Sequence, residues 1–398
     1  MKKIINGKII GPDCLHTGKQ LLVRDGKILD ILPDNAGLPE GFGNGAVRII
    51  DAEGGYVVPG FIDVHSDYIE HMASPRPNCL IDFDIAILEF ERELLTHGIT
   101  TMYHSISFYR STEFPEKEVR LPRNTKRFVD LIDKANKNRR LLRHKFHARF
   151  EIDSLERIKE LETYILENKA HLLSFMDHTP GQGQYRDLGH FRQAVKGYRK
   201  VSDAEIDVMI EKSQAKEKLT IEAITELIYL AQKAGISVAA HDDDSPGRVE
   251  FNKSLGMKIS EFPITMETAL KARELGLHTV GGAPNVMLKG SHSGNLSAAE
   301  AILAGAVDAL CSDYYPASLL HAVFMLHEVY GLDLPEAFRL ITLNPAKAVG
   351  IDGEFGSIEP GKEADFLIIK RLDGSLPVVS RAFISGDESM AFNYGAGN

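Results

Sequence analysis

The sequence predicts an α/β protein, a (β/α)8 TIM-like barrel that carries a small β-sandwich domain built from both chain ends. Three observations lead there. Apolar, β-branched runs alternate with amphipathic segments through the middle of the chain. Those runs end repeatedly in His, Asp or Glu, at the strand ends where barrel active sites form. Both chain ends read as short strands with turns between them. The length of 398 residues suits one large barrel plus a small accessory unit.

Residues 1–56 supply the first part of the small β domain, with Asn6-Gly7 and Asp25-Gly26 as hairpin turn pairs. The barrel is expected over 57–354. Its strands are expected at 57–65, 99–105, 145–151, 171–177, 236–241, 258–262, 278–283 and 308–313, with helices between most of them. Two connections are longer than a minimal βα link. Residues 106–144, rich in Arg, Lys and Glu, read as a long helix. Residues 182–218 are polar and helical, either a solvated decoration or a lid over the barrel mouth. Residues 355–398 return as turn and strand and complete the small domain.

Composition sets bounds on function. Hydrophobic residues make up 43% and charged residues 26%, as in a soluble globular protein. A formal net charge of −10 argues against nucleic acid or an anionic membrane as bulk partner, while leaving room for a local basic pocket. The N-terminus lacks a signal-peptide pattern, and no run approaches a membrane span. Cys14, Cys79 and Cys311 are far apart and read as reduced thiols, so a cytoplasmic protein is expected.

The strand ends carry the chemistry. His65 and Asp67, two residues apart on a strand, share a face. His147, Arg149 and Glu151 do the same at the end of the third strand. The fourth gives Asp177-His178, the fifth His241 followed by Asp242 to Asp244, the sixth Glu261, and the eighth Asp313. Any one of these is more often a satisfied polar residue than a ligand; a series at one rim reverses that reading. Such donors suit zinc, manganese or similar divalent ions. Of the adjacent pair only one can point inward: His178 is expected as ligand, Asp177 as support. Asp242 to Asp244 read by default as a cap or solvated loop, and Cys311 as a buried thiol.

The Pro59-Gly60-Phe61-Ile62-Asp63-Val64-His65 segment and Gly361-Lys362-Glu363-Ala364-Asp365 resemble the amidohydrolase superfamily. More specific are His65-Ser66-Asp67, Ser74-Pro75-Arg76-Pro77 and Met176-Asp177-His178-Thr179-Pro180-Gly181-Gln182. His241-Asp242-Asp243, Gly282-Ala283-Pro284-Asn285, Gly290-Ser291-His292-Ser293-Gly294-Asn295 and Ser312-Asp313-Tyr314-Tyr315-Pro316 follow. In that order these resemble the phosphonate-metabolism protein M family of the carbon–phosphorus lyase pathway. The tail from Gly386 onward does not look like that family's closing strand.

The resemblance implies an amidohydrolase-type barrel and a hydrolase of acid anhydrides. Such an enzyme cleaves α-D-ribose 1-methylphosphonate 5-triphosphate to the 5-phosphate and diphosphate, by attack of a metal-bound hydroxide on the α-phosphorus. It implies two divalent ions, zinc first and manganese or magnesium as the other candidates. His65, Asp67 and Asp313 would hold one, His178 and His241 the other, with Glu151 as bridge and Asp313 also as general base. Arg76, Arg149, Lys289, Ser291 and His292 would meet the anionic substrate. The expected partner is a small phosphorylated sugar, with a homodimer as the assembly. Two alternatives stay open: an amidohydrolase acting on an N-acyl or cyclic amide, and a non-catalytic scaffold that has lost its metals.

Overall fold

The computed structural model describes residues 1–37, 47–76, 79–108, 117–138, 141–288 and 296–394. Eight strands form a parallel sheet in strict sequential order: Phe61–Ser66, Ile99–Phe108, Arg143–Glu151, Ala170–Met176, Ser237–His241, Ile259–Glu261, His278–Gly282 and Ala309–Cys311. The first and eighth meet through a parallel bridge between Ser66 and Asp313. The Asp313 amide donates to the His65 carbonyl at 3.0 Å and the Asp67 amide to the Asp313 carbonyl at 3.1 Å. Alternation sends Ile62, Val64, Tyr103, Leu172, Ala239, Ile259, Val280 and Ala309 into the barrel, where they pack as one buried cluster. This plug leaves the C-terminal rim as the place where polar side chains can gather.

The second sheet joins both chain ends. Tyr56–Pro59 lies between Lys2–Ile10, in parallel, and Phe366–Leu372, in antiparallel. Asp25 and Gly26 both take positive φ, 50° and 80°, and turn the hairpin between Leu15–Arg24 and Lys27–Pro33, as the sequence predicts. The barrel and this sheet are tied by a partly buried ion pair between Arg143 and Asp365.

Several expectations are corrected. The run 57–65 is not one strand. It breaks at Gly60, giving Tyr56–Pro59 to the end sheet and Phe61–Ser66 to the barrel. Gly60 is required there, because a Cβ would sit 2.8 Å from Cβ of Thr100 and collide with the rest of that side chain. Asn6-Gly7 is not a turn: it falls inside Lys2–Ile10, at an irregularity in the pairing. Residues 106–144 are not one long helix. The second barrel strand runs to Phe108, followed among the described residues by a short turn at Glu118–Arg120 and the helix Pro122–Lys137. The tail does close the sheet, as Asp387–Ala391 pairs with Leu376–Ile384. The segment 182–218 folds as two helices, Leu188–Tyr198 and Asp203–Gln214, the second opened by a Ser202–Glu205 capping box. Among the described residues no helix is long and apolar enough to cross a membrane.

Candidate metal centre

The rim brings together His65, Glu151, His178, His241 and Asp313, residues spread over most of the chain. His241 is the hub. Its ring lies parallel to that of His65, with centroids 5.3 Å apart and planes 19° apart, and edge-on to that of His178 at 5.9 Å. Nε2 of His241 lies 3.4 Å from the Arg149 guanidinium, close enough to accept from it. Nδ1 of His178 meets the Glu151 carboxylate, and its backbone N–H donates to the other Glu151 oxygen at 3.4 Å. Asp177 pairs instead with Lys218 at 2.9 Å.

Two residues at the rim were not singled out as site residues from sequence. Glu261, fully buried, places Oε1 3.2 Å from Nδ1 of His65 and Oε2 3.2 Å from Nδ1 of His241. Asp242 is not a solvated loop residue. Its Oδ2 is buried with no hydrogen-bond partner among the described residues, 3.6 Å from Nε2 of His178 and 3.7 Å from Nε2 of His241. Asp242, Phe262 and Asp313 all hold positive φ, 56°, 54° and 57°, immediately or shortly after their strands end. For non-glycine residues this is a costly conformation, and it is concentrated at the rim.

Two groups of donors are close enough to share an ion: His178, His241 and Asp242, and His65, His241 and Glu261. In each the ligating atoms lie within 4.8 Å of one another. The electrostatics favour a cation at the first. Burial opposes protonation of His178, but Glu151 and Asp242 outweigh it and raise its pKa to about 10. That pull on a proton reports an excess of negative charge which a divalent ion would also neutralise. His241 is the reverse: burial first, with Arg149 adding, lowers its pKa to about 3 despite Glu261, so the ring stays neutral and keeps a lone pair. The donor types and the orphaned Asp242 oxygen both fit a divalent ion. Asp313 is pushed up to about 7, by burial first and then by the charge of Asp67.

A cleft of about 250 Å³ opens over this rim. His65, Asp67, Arg149, His241, Asp242 and Asp313 line its polar side, with Gln184 reaching in from the inserted segment and Tyr314 from beyond the eighth strand. Asp67 also faces Arg120, at 3.6 Å. Arg76 is not brought to the cleft wall: its side chain is exposed, and its backbone pairs with Cys79. Lys289, Ser291 and His292 lie outside the described residues. His104 takes no part in the site; it is buried against His144 at 2.8 Å.

The amidohydrolase family profile matches residues 191–389. Solved structures share the whole architecture at low identity. A Xaa-Pro dipeptidase with bound methionine in the active site superposes with a TM-score of 0.64 at 14% identity, over 97% of this chain and 99% of that one. N-acetylglucosamine-6-phosphate deacetylase from Pasteurella multocida gives 0.58 at 16%, also over 97% and 99%. These likenesses speak for the fold. A barrel of this order, joined to a sheet from both chain ends and carrying a His/Asp/Glu rim, places the chain in the amidohydrolase family.

Within that family one relative matches nearly end to end. The chain is 31% identical over 364 residues to the α-D-ribose 1-methylphosphonate 5-triphosphate diphosphatase of Escherichia coli (strain K12), covering 90% of this chain and 92% of that protein. The likeness to the phosphonate-metabolism protein M family drawn from the sequence motifs is thereby borne out.

Proposed function

We propose that this protein hydrolyses α-D-ribose 1-methylphosphonate 5-triphosphate to the 5-phosphate and diphosphate, in phosphonate catabolism. The observation that carries this is the 31% identity, over 90% of the chain, to the Escherichia coli diphosphatase. The geometry supports it, since a rim whose His and Asp donors could share a cation has the Arg149 guanidinium beside it.

His178, His241 and Asp242 would hold one divalent ion, with Glu151 against His178. His65, Asp67 and Asp313 would serve a second. Zinc is the first candidate, manganese and magnesium the next. Such ions supply Lewis acidity, which acidifies water and withdraws charge from phosphoryl oxygens. The chain's own residues do the rest. Arg149, whose Nε is buried with no hydrogen-bond partner among the described residues, donates to phosphoryl oxygens. Asp313, half-buried and lining the cleft, takes up the proton released in hydrolysis on its carboxylate. Tyr314 and Gln184 stand where the sugar would enter. Arg76, Lys289, Ser291 and His292 remain candidates for the outer phosphates. The free cysteines Cys14, Cys79 and Cys311 fit a cytoplasmic enzyme, and a homodimer is the expected assembly.

The test is to supply the ribosyl triphosphate with zinc, manganese or magnesium and identify the leaving product. Diphosphate together with the 5-phosphate is expected. Release of monophosphate would move the attack to the γ-phosphorus and overturn the diphosphatase reading, and turnover confined to N-acyl or cyclic amide compounds would replace it with the amide-hydrolase alternative.

A further inference from the structure

We propose that Glu261 is the positioning residue that fixes the His65 and His241 imidazoles together in the tautomer able to bind an ion. The proposal rests on the reading above that this rim takes a divalent cation.

The hydrogen bonds assign the protons. Each Glu261 oxygen faces one Nδ1 at 3.2 Å: Oε1 that of His65, Oε2 that of His241. An ionised carboxylate only accepts, so both imidazoles donate from Nδ1, and their remaining lone pairs lie on Nε2. An independent contact agrees for His241, because the Arg149 guanidinium, which can only donate, faces its Nε2 at 3.4 Å. The nearby His147, whose Nε2 lies 3.8 Å from Glu261 Oε1, makes no hydrogen bond to it. Its Nδ1 faces the Val64 carbonyl at 3.1 Å, which can only accept, and Nε2 is left to take the Ser174 hydroxyl at 2.8 Å. Burial alone would push the Glu261 carboxyl up toward protonation, but the His147 and His241 imidazoles outweigh it and hold it below its ordinary range.

Position separates this role from that of a ligand. His65 and His241 line the cleft and Glu261 does not; it is fully buried behind them. The Phe262 ring packs edge-on against both imidazoles, at 5.0 and 5.2 Å, and limits their tilt. One carboxylate thus orients two imidazoles that come from opposite sides of the barrel sequence, and the rings stay nearly parallel.

The experiment is Glu261→Gln, near-isosteric but with one acceptor and one donor. Two readouts are taken on the full chain: imidazole ¹⁵N shifts in metal-free protein, and zinc affinity by chelator competition. Wild type should show His65 and His241 both protonated at Nδ1. In the variant one of the two should move its proton to Nε2, and zinc affinity should fall about 10–100-fold. Unchanged tautomers with affinity within twofold overturn the proposal. Lost affinity with unchanged tautomers also overturns it and makes Glu261 a ligand. If Glu261→Gln does not fold, Glu261→Asp carries the test. One methylene shorter, it cannot reach both rings, so affinity should fall, and wild-type affinity overturns the proposal. A wild-type protein that takes up no divalent ion refutes the metal reading instead, and the tautomer exchange still decides the role of Glu261.

Discussion

Replacing Asp242 by Asn isolates one charge at the rim. Asp242 Oδ2 is buried, unpartnered, and 3.6–3.7 Å from Nε2 of both His178 and His241. Its backbone φ of 56° is one that Asn tolerates well, so the fold should hold and the melting temperature should change little. A unit charge about 4 Å from a cation is worth about 4 kcal/mol per unit charge at an effective dielectric near 20. The Asn carbonyl dipole restores part of this; a net loss of about 2 kcal/mol corresponds to roughly 30-fold in metal affinity. Zinc or manganese competition against a chelator, with a thermal melt as control, measures it. Affinity within twofold of wild type would return Asp242 to a loop residue with no part in ion binding.

Other consequences can be tested alongside. Arg149→Met should lower kcat/KM for the triphosphate by about 10–150-fold, the value of a charged hydrogen bond of about 1.5–3 kcal/mol, while metal content is retained. Loss of metal instead would mean that Arg149 shapes the site rather than meeting substrate. Gly60→Ala should cost about 1–3 kcal/mol in urea denaturation through collision with Thr100, and Thr100→Ala should recover part of it. Strict additivity of the two would show that the pair does not touch. His171 is held to a pKa of about 3 by burial, with Lys145 adding, while its Nδ1 accepts the Phe146 amide proton at 3.1 Å. Between about pH 6.5 and 3 the unfolded chain therefore binds a proton that the folded chain does not. Stability should therefore be lost as pH is lowered through that window, by up to about 1.4 kcal/mol per unit for this group. His171→Asn, which keeps an acceptor, should flatten that part of the slope, and an unchanged slope would refute the assignment.

The barrel and most of its rim were legible because apolar runs ending in His, Asp or Glu declare both a buried strand and its polar end. The same alternation rule fails where the chain leaves the strand. His178 and Asp242 lie beyond strands that end at Met176 and His241, and Asp242 turns into the site through a positive φ that no pattern of residues announces. In the acidic run 242–244 it looked like a cap. Glu261 ends a strand of three residues, Ile259–Glu261, too short to show a face. Its pairing of His65 with His241 depends on barrel closure, which only the fold supplies. Arg76 is a further case in which local pattern and fold diverge. A proline-flanked arginine near the first strand suggested a pre-set phosphate donor, yet its side chain is exposed and does not line the cleft.

The most direct check of the central claim is anomalous diffraction from crystals of the protein loaded with zinc or manganese, at the absorption edge of the metal. A peak within coordination distance of Nε2 of His241 and the carboxylate of Asp242 is the expected result. A protein that binds the ion in solution but places it elsewhere, leaving His178, His241 and Asp242 without a metal, would contradict the account.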